Sequence, residues 1–117
     1  MAPNGHIAFI RFGAAGISSQ VYVMNADGSH VRAVSSPVLQ AIHPKWSPDS
    51  RRIAISTNCC RLGGNVWVIS ATGNHAEQLT ETPYPLFSLV PAYSPSGTRI
   101  AFVNSRNHPD RCRRICS

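Results

Sequence analysis

Apolar residues fall in short runs along this chain, each closed by glycine, proline, asparagine or serine. In the run Ile7 to Phe12, Ala8 and Ile10 are as apolar as Ile7 and Phe9, so a strand here expects burial on both faces. Gly13 to Ser19 reads as a loop and Val21 to Met24 as the next strand, again apolar on both faces. Asn25-Ala26-Asp27-Gly28 is a hairpin signal, because Gly28 tolerates the positive φ such turns need, and it predicts Val31 to Val34 as the partner strand. Further strands are predicted at His43 to Ser47, Ile53 to Thr57, Asn65 to Ser70 and Ala76 to Thr80. In the turn Ser47-Pro48-Asp49-Ser50, Pro48 pre-sets φ and Asp49 can bond the local backbone. Pro83-Tyr84-Pro85 rules out a central strand or helix and makes a stiff crossing to the last predicted strands, Leu89 to Ser94 and Arg99 to Asn104.

These runs repeat. Pro44-Lys45-Trp46-Ser47-Pro48-Asp49-Ser50-Arg51-Arg52-Ile53-Ala54-Ile55-Ser56 recurs as Pro91-Ala92-Tyr93-Ser94-Pro95-Ser96-Gly97-Thr98-Arg99-Ile100-Ala101-Phe102-Val103, with Trp46 and Tyr93 47 residues apart. Ala2-Pro3-Asn4-Gly5-His6-Ile7-Ala8-Phe9-Ile10 matches the later part of the same stretch without its aromatic residue. Independently, Val21-Tyr22-Val23-Met24-Asn25-Ala26-Asp27-Gly28-Ser29 reappears 45 residues on as Val66-Trp67-Val68-Ile69-Ser70-Ala71-Thr72-Gly73-Asn74. Two unlike blocks in one order at one period make the chain a repeat array.

On these residues the chain resembles the PD40 or TolB-like repeats of β-propellers, whose blades run aromatic-Ser-Pro-Asp-Gly, then Ile-Ala-Phe, then an apolar strand ending in Asp-Gly-Ser. The resemblance extends to about Asn104 and departs at Ser50, where the family has Gly, and at Thr72-Gly73 in place of Asp-Gly. The Trp-Asp pair of a generic WD40-like blade does not occur. The resemblance implies an all-β fold of β-propeller blades, each a four-stranded antiparallel sheet, in an incomplete ring. Residues 2–107 are then a partial propeller. Blade 1 (2–36) lacks its innermost strand, blade 2 (41–81) is complete, and blade 3 (89–107) has its first two strands only. Blades are buried by their neighbours, and roughly four to eight close a ring. A chain of 117 residues with little more than two is therefore expected to be a fragment, to assemble with other chains, or to expose blade faces. Both ends carry the Ile-Ala-Phe type of strand, which weighs against a self-closing ring of identical chains.

Charge changes the picture mainly at the C-terminus. Of the net charge of +6, Arg106, Arg111, Arg113 and Arg114 supply a surplus that only Asp110 offsets, so the body is mildly basic and reads as a solvated face; no nucleic acid partner is expected. At the repeat spacing, Arg113-Arg114 falls where Val66-Trp67 lies, and burying unpaired arginines is costly. Residues 108–117 are thus expected as an off-pattern basic tail, either a foreign end from a frameshift or premature stop, or a disordered basic C-terminus. No apolar run approaches the ~18 residues of a spanning helix, so no membrane insertion is expected, and Met1 to His6 has no signal-peptide pattern as written. The family resemblance implies a periplasmic or exported location for a full-length protein; the residues themselves leave the compartment open.

Chemistry-bearing residues are few. Cys112-Arg113-Arg114-Ile115-Cys116 could be half of a zinc site, but Cys59-Cys60 makes a poor second half, and a disulfide between adjacent cysteines is strained, so free thiols are expected and no metal. Asp27 and Asp49 are turn residues, Glu77 lies on an outer strand, and no carboxylates are paired by spacing. There is no Gly-x-Ser-x-Gly elbow and no phosphate-cradling loop, so no catalytic residue or cofactor is expected. The histidines, His43 before Pro44 among them, look like turn residues. Trp46, Trp67, Tyr22 and Tyr93 recur at the repeat period and read as core packing ahead of a stacking platform.

The function these observations favour is a non-catalytic segment that serves as a protein-interaction scaffold, its partner unidentified. The loops around Ser36 to Ile42 and Asn58 to Asn65 are expected to share one rim, with Asn58, Cys59, Cys60 and Arg61 as the partner-binding residues. The alternatives are a piece of the propeller of a prolyl-oligopeptidase-type serine peptidase or other propeller enzyme, and a truncated product without independent activity.

Overall fold

The computed structural model describes residues 5–13, 18–57, 64–82 and 87–104. Among them nine strands form three antiparallel sheets. The first holds β1 (Ile7–Phe12), β2 (Ser19–Met24) and β3 (Arg32–Ala33). The second holds β4 (Ala41–Trp46), β5 (Arg52–Thr57), β6 (Val66–Ser70) and β7 (Ala76–Gln78), and the third β8 (Ser88–Tyr93) and β9 (Ile100–Asn104). Every sheet is a meander with neighbours in chain order. A 3-10 turn over Pro37–Leu39 links the first sheet to the second, capped where Ser36 Oγ accepts the Val38 N–H.

The sheets stack in sequence. β1 and β2 pack on β4, and β5 packs on β8. The main core lies between the first two sheets, where Val21, Val23 and Val34 meet Ile53, Ile55 and Ile69, with Trp46 and Trp67 packed against them. β5, covered on both faces, is buried from Ile53 to Thr57. β1 is only half-buried and ends in the exposed Arg11 and Phe12. β2 alternates, with Val21 and Val23 at zero exposure and Tyr22 and Met24 half-buried. The expectation of two buried faces in these first strands is corrected by position: among the described residues a sheet covers only their inner face.

Faces follow from register. Ile53 lies opposite Ile69, and Ile55 opposite Trp67, so these large residues look toward the first sheet. Ala54 opposite Val68 and Ser56 opposite Val66 look toward the third. The first sheet meets the second through Ala8 opposite Val23 and Ile10 opposite Val21.

Both inner strands carry a bulge that the sequence reading did not anticipate. The β4–β5 register shifts between Ile42 and Lys45, and the β8–β9 register between Leu89 and Ala92. At these points His43 (φ 54) and Val90 (φ 57) adopt left-handed backbone. Each precedes a proline, which lacks the N–H a regular ladder needs, and an edge strand with a bulge is where a sheet tolerates it. His43 is therefore a strand residue, not a turn residue. The bulge also moves β4 two residues earlier than the predicted His43 to Ser47 and β8 one residue earlier than Leu89 to Ser94.

Candidate interaction surface

Two sets of connections crown the blades. At one end lie the turns. Ser47 Oγ donates to Asp49 Oδ1 (2.6 Å), the Arg51 N–H donates to the same oxygen (3.0 Å), and the Arg52 N–H donates to Ser47 Oγ (3.0 Å). These bonds, led by that from Ser47, hold the Asp49 carboxyl below its ordinary range. The corresponding turn in the third sheet keeps the frame with Ser96 in place of Asp49, and the Arg99 N–H donates to Ser94 Oγ (3.1 Å). Asp27 closes the first hairpin similarly, accepting from Ser29 Oγ (2.6 Å) and the Ser29 N–H (2.9 Å), which lowers its carboxyl as well. Asp27 and Asp49 thus do local backbone work.

Between the turns of the second and third sheets opens a cleft of about 520 Å3, bordered by Asp49, Arg51, Arg52, Tyr93 and Ser96. Burial pushes the Tyr93 phenol up. A second cleft, about 440 Å3, runs along the inner strands past Ala8, Lys45, Trp46 and Ala92. There the Trp46 indole N–H is buried with no hydrogen-bond partner among the described residues. Among the described residues no group of three or more His, Cys, Asp or Glu could hold a metal ion.

At the other end the strands are tied by polar latches. Asn65, almost fully buried, accepts at Oδ1 from Thr80 Oγ1 (2.7 Å) and the Thr82 N–H (2.7 Å), and its Nδ2 donates to the Thr82 carbonyl (3.1 Å). The Val66 N–H donates to Thr80 Oγ1 (2.9 Å). The first sheet repeats the device 45 residues earlier: the Val21 N–H donates to Ser35 Oγ (2.8 Å) and Gln20 Nε2 to the Ser35 carbonyl (3.0 Å). Sequence reasoning passed over this latch, although an amide and a hydroxyl recurring at one period were its visible signal.

Asn58, Cys59, Cys60 and Arg61 lie outside the described residues, as do Cys112, Cys116 and the tail from 105 to 117. Their loop's anchors are placed. The Thr57 N–H donates to the Asn65 carbonyl (2.8 Å), the Asn65 N–H donates to Thr57 Oγ1 (3.0 Å), and Gly64 pairs with Phe87. Ala41 lies opposite Thr57, so the connection Ser36 to Gln40 approaches the end of the sheet from which residue 58 departs. On it Val38 is 72% exposed.

No family model matches the chain, and no curated protein does. Solved structures do. The putative TolB of Agrobacterium tumefaciens superposes with a TM-score of 0.75 at 21% identity, covering 88% of this chain and 36% of that one. The fold is that of a TolB-like β-propeller. TolB from Acinetobacter baumannii gives a TM-score of 0.73 at 23% identity over 88% of this chain and 26% of its own. The chain thus spans about a third or less of these TolB chains. Its three sheets are TolB-like blades in an open array. No helix among the described residues is long and apolar enough to cross a membrane.

Proposed function

We propose that the chain is a non-catalytic, TolB-like propeller segment that serves as a protein-interaction scaffold. On this reading blade 1 spans 2–36, blade 2 41–81 and blade 3 89–107, and the contact is made by Asn58, Cys59, Cys60 and Arg61 together with the connection Ser36 to Ile42. The observation that carries the reading is the latch at Asn65, Thr80 and Thr82: a polar network centred on the buried Asn65 fixes the base of this rim, and a fixed base lowers the ordering cost of binding through loops. Photo-crosslinkers placed at Asn58 and Arg61, with Glu77 on β7 as the control position, test it. A partner protein captured at the two rim positions and not at Glu77, and lost on alanine replacement of 58–61, is the expected result. Capture that is the same at all three positions refutes the placement.

A further inference from the structure

The β4–β5 and β8–β9 turns hold equivalent places in the repeat, yet their chemistry differs. Where the third sheet has Gly97 in left-handed backbone (φ 77), the second has Ser50 (φ 61), a conformation that strains a residue with a Cβ. Where the third has Thr98, the second has Arg51, with Arg52 beside it. Where the second has Asp49, the third has Ser96, an uncharged residue whose hydroxyl lies 2.7 Å from Thr98 Oγ1.

These differences meet in one place. The cleft of about 520 Å3 between the turns is bordered by Asp49, Arg51 and Arg52 from the second sheet and by Tyr93 and Ser96 from the third. The two turns are close, a Cβ on Gly97 lying 3.4 Å from Pro48 Cδ, so neighbouring sheets of this chain form the cleft between them. Asp49 is the single carboxylate among the described residues on its border, and its Oδ1 already accepts from Ser47 Oγ and the Arg51 N–H. Neither the Arg51 nor the Arg52 guanidinium forms a hydrogen bond or ion pair among the described residues. Two arginines against one carboxylate leave the cleft positive, and an acid at Ser96, as at Asp49, would cancel that surplus. Burial raises the Tyr93 phenol, which keeps it a hydrogen-bond donor.

We infer that this cleft binds a small organic phosphate monoester, its phosphate held by Arg51 and Arg52 with the Ser96 and Tyr93 hydroxyls, and its body against the Tyr93 ring and Pro48. Two forked guanidinium groups and two hydroxyls offer more donors than the two oxygens of a carboxylate accept, and they suit the three oxygens of a phosphate monoester. A cleft of this size takes a small organic group along with the phosphate. The site lies at the opposite end of the sheets from the Asn65 latch and is independent of the rim proposed above.

The test titrates phenyl phosphate into the isotope-labelled chain and follows the backbone amides by NMR. Saturable shifts confined to the two turns and Tyr93 are expected. Replacing Arg51 and Arg52 together by glutamine should weaken binding about tenfold or more, since charge-assisted bonds are lost. Ser96→Asp leaves both arginines in place and should also weaken binding about tenfold. Asp49 shows that this turn accepts an acid, and a dispersed amide spectrum confirms that each variant is folded. Benzoate and inorganic phosphate, each carrying half of the probe, should bind more weakly than phenyl phosphate. Shifts that do not saturate, that extend equally to Arg11 and Arg32, or that survive either variant would overturn the inference. Benzoate or inorganic phosphate binding as tightly as phenyl phosphate would overturn the assignment to an organic phosphate.

Discussion

Glycines at equivalent hairpin positions have unequal surroundings. Gly28 (φ +86) and Gly73 (φ +83) both sit in left-handed backbone, where an added Cβ costs about 1 kcal/mol. A Cβ on Gly28 meets nothing within 4 Å, whereas on Gly73 it would lie 3.1 Å from the Val34 Cα across the sheet contact. Gly28→Ala should therefore cost about 1 kcal/mol and Gly73→Ala about 2–3 kcal/mol in urea unfolding. Equal losses would show that the hairpin does not press on the first sheet. Acid sensitivity also belongs to single residues. Asp27 and Asp49 have lowered pKa values in the folded chain, so each contributes stability that is present above the unfolded value and lost as pH falls through the folded one. The window opens below about pH 4. Ser47→Ala should raise the Asp49 pKa in an NMR titration and leave that of Asp27 unmoved.

At the scale of the element, the buried latch outweighs its exposed surroundings. Removing the Asn65 side chain takes the acceptor away from the Thr80 O–H and the Thr82 N–H together, so Asn65→Ala should cost about 2–4 kcal/mol in chemical denaturation. Ser35→Ala in the first sheet removes one acceptor, that of the Val21 N–H, and should cost about 1–2 kcal/mol. A second tie joins elements of different sheets. The Val90 N–H, at the β8 bulge, donates to the buried Ser56 Oγ (2.8 Å), while Ile10 holds the equivalent place in the first sheet. Ser56→Ala should therefore speed hydrogen exchange at the Val90 amide about tenfold or more, by removing a bond of roughly 1.5 kcal/mol, without touching exchange in β2.

For the molecule as a whole, the decisive fact is that its main core lies between sheets, not within one. Ile55 of the second sheet packs with Val21 and Val23 of the first, so Ile55→Ala should cost about 3 kcal/mol and lower both sheets together. Tryptophan fluorescence, reporting the second sheet, and an NMR resonance of Val23, reporting the first, should then lose signal at one denaturant midpoint. Separate midpoints would mean that the sheets are independent units. The same architecture explains why β1 and β9 are more exposed than β5, although all three carry a like sequence. Burial here is a property of having a neighbouring sheet.

Much of this was legible without coordinates, because it is local or periodic. The period set the sheet repeat, the Asp27-Gly28 and Ser47-Pro48-Asp49 signals set the turns, and short apolar runs bounded by turn residues set which strands exist, since turn chemistry and run length are fixed by a few adjacent residues. Other features needed the tertiary structure. The bulges at His43 and Val90 depend on where a proline falls relative to a partner strand, and the latch at Asn65 and Thr80 joins residues 15 apart in sequence. Which face of a sheet is covered, and by which neighbour, is decided between elements: Ile7 and Ile53 are equivalent in the repeat, yet among the described residues Ile53 packs against a neighbouring sheet and is fully buried while Ile7 is half-buried.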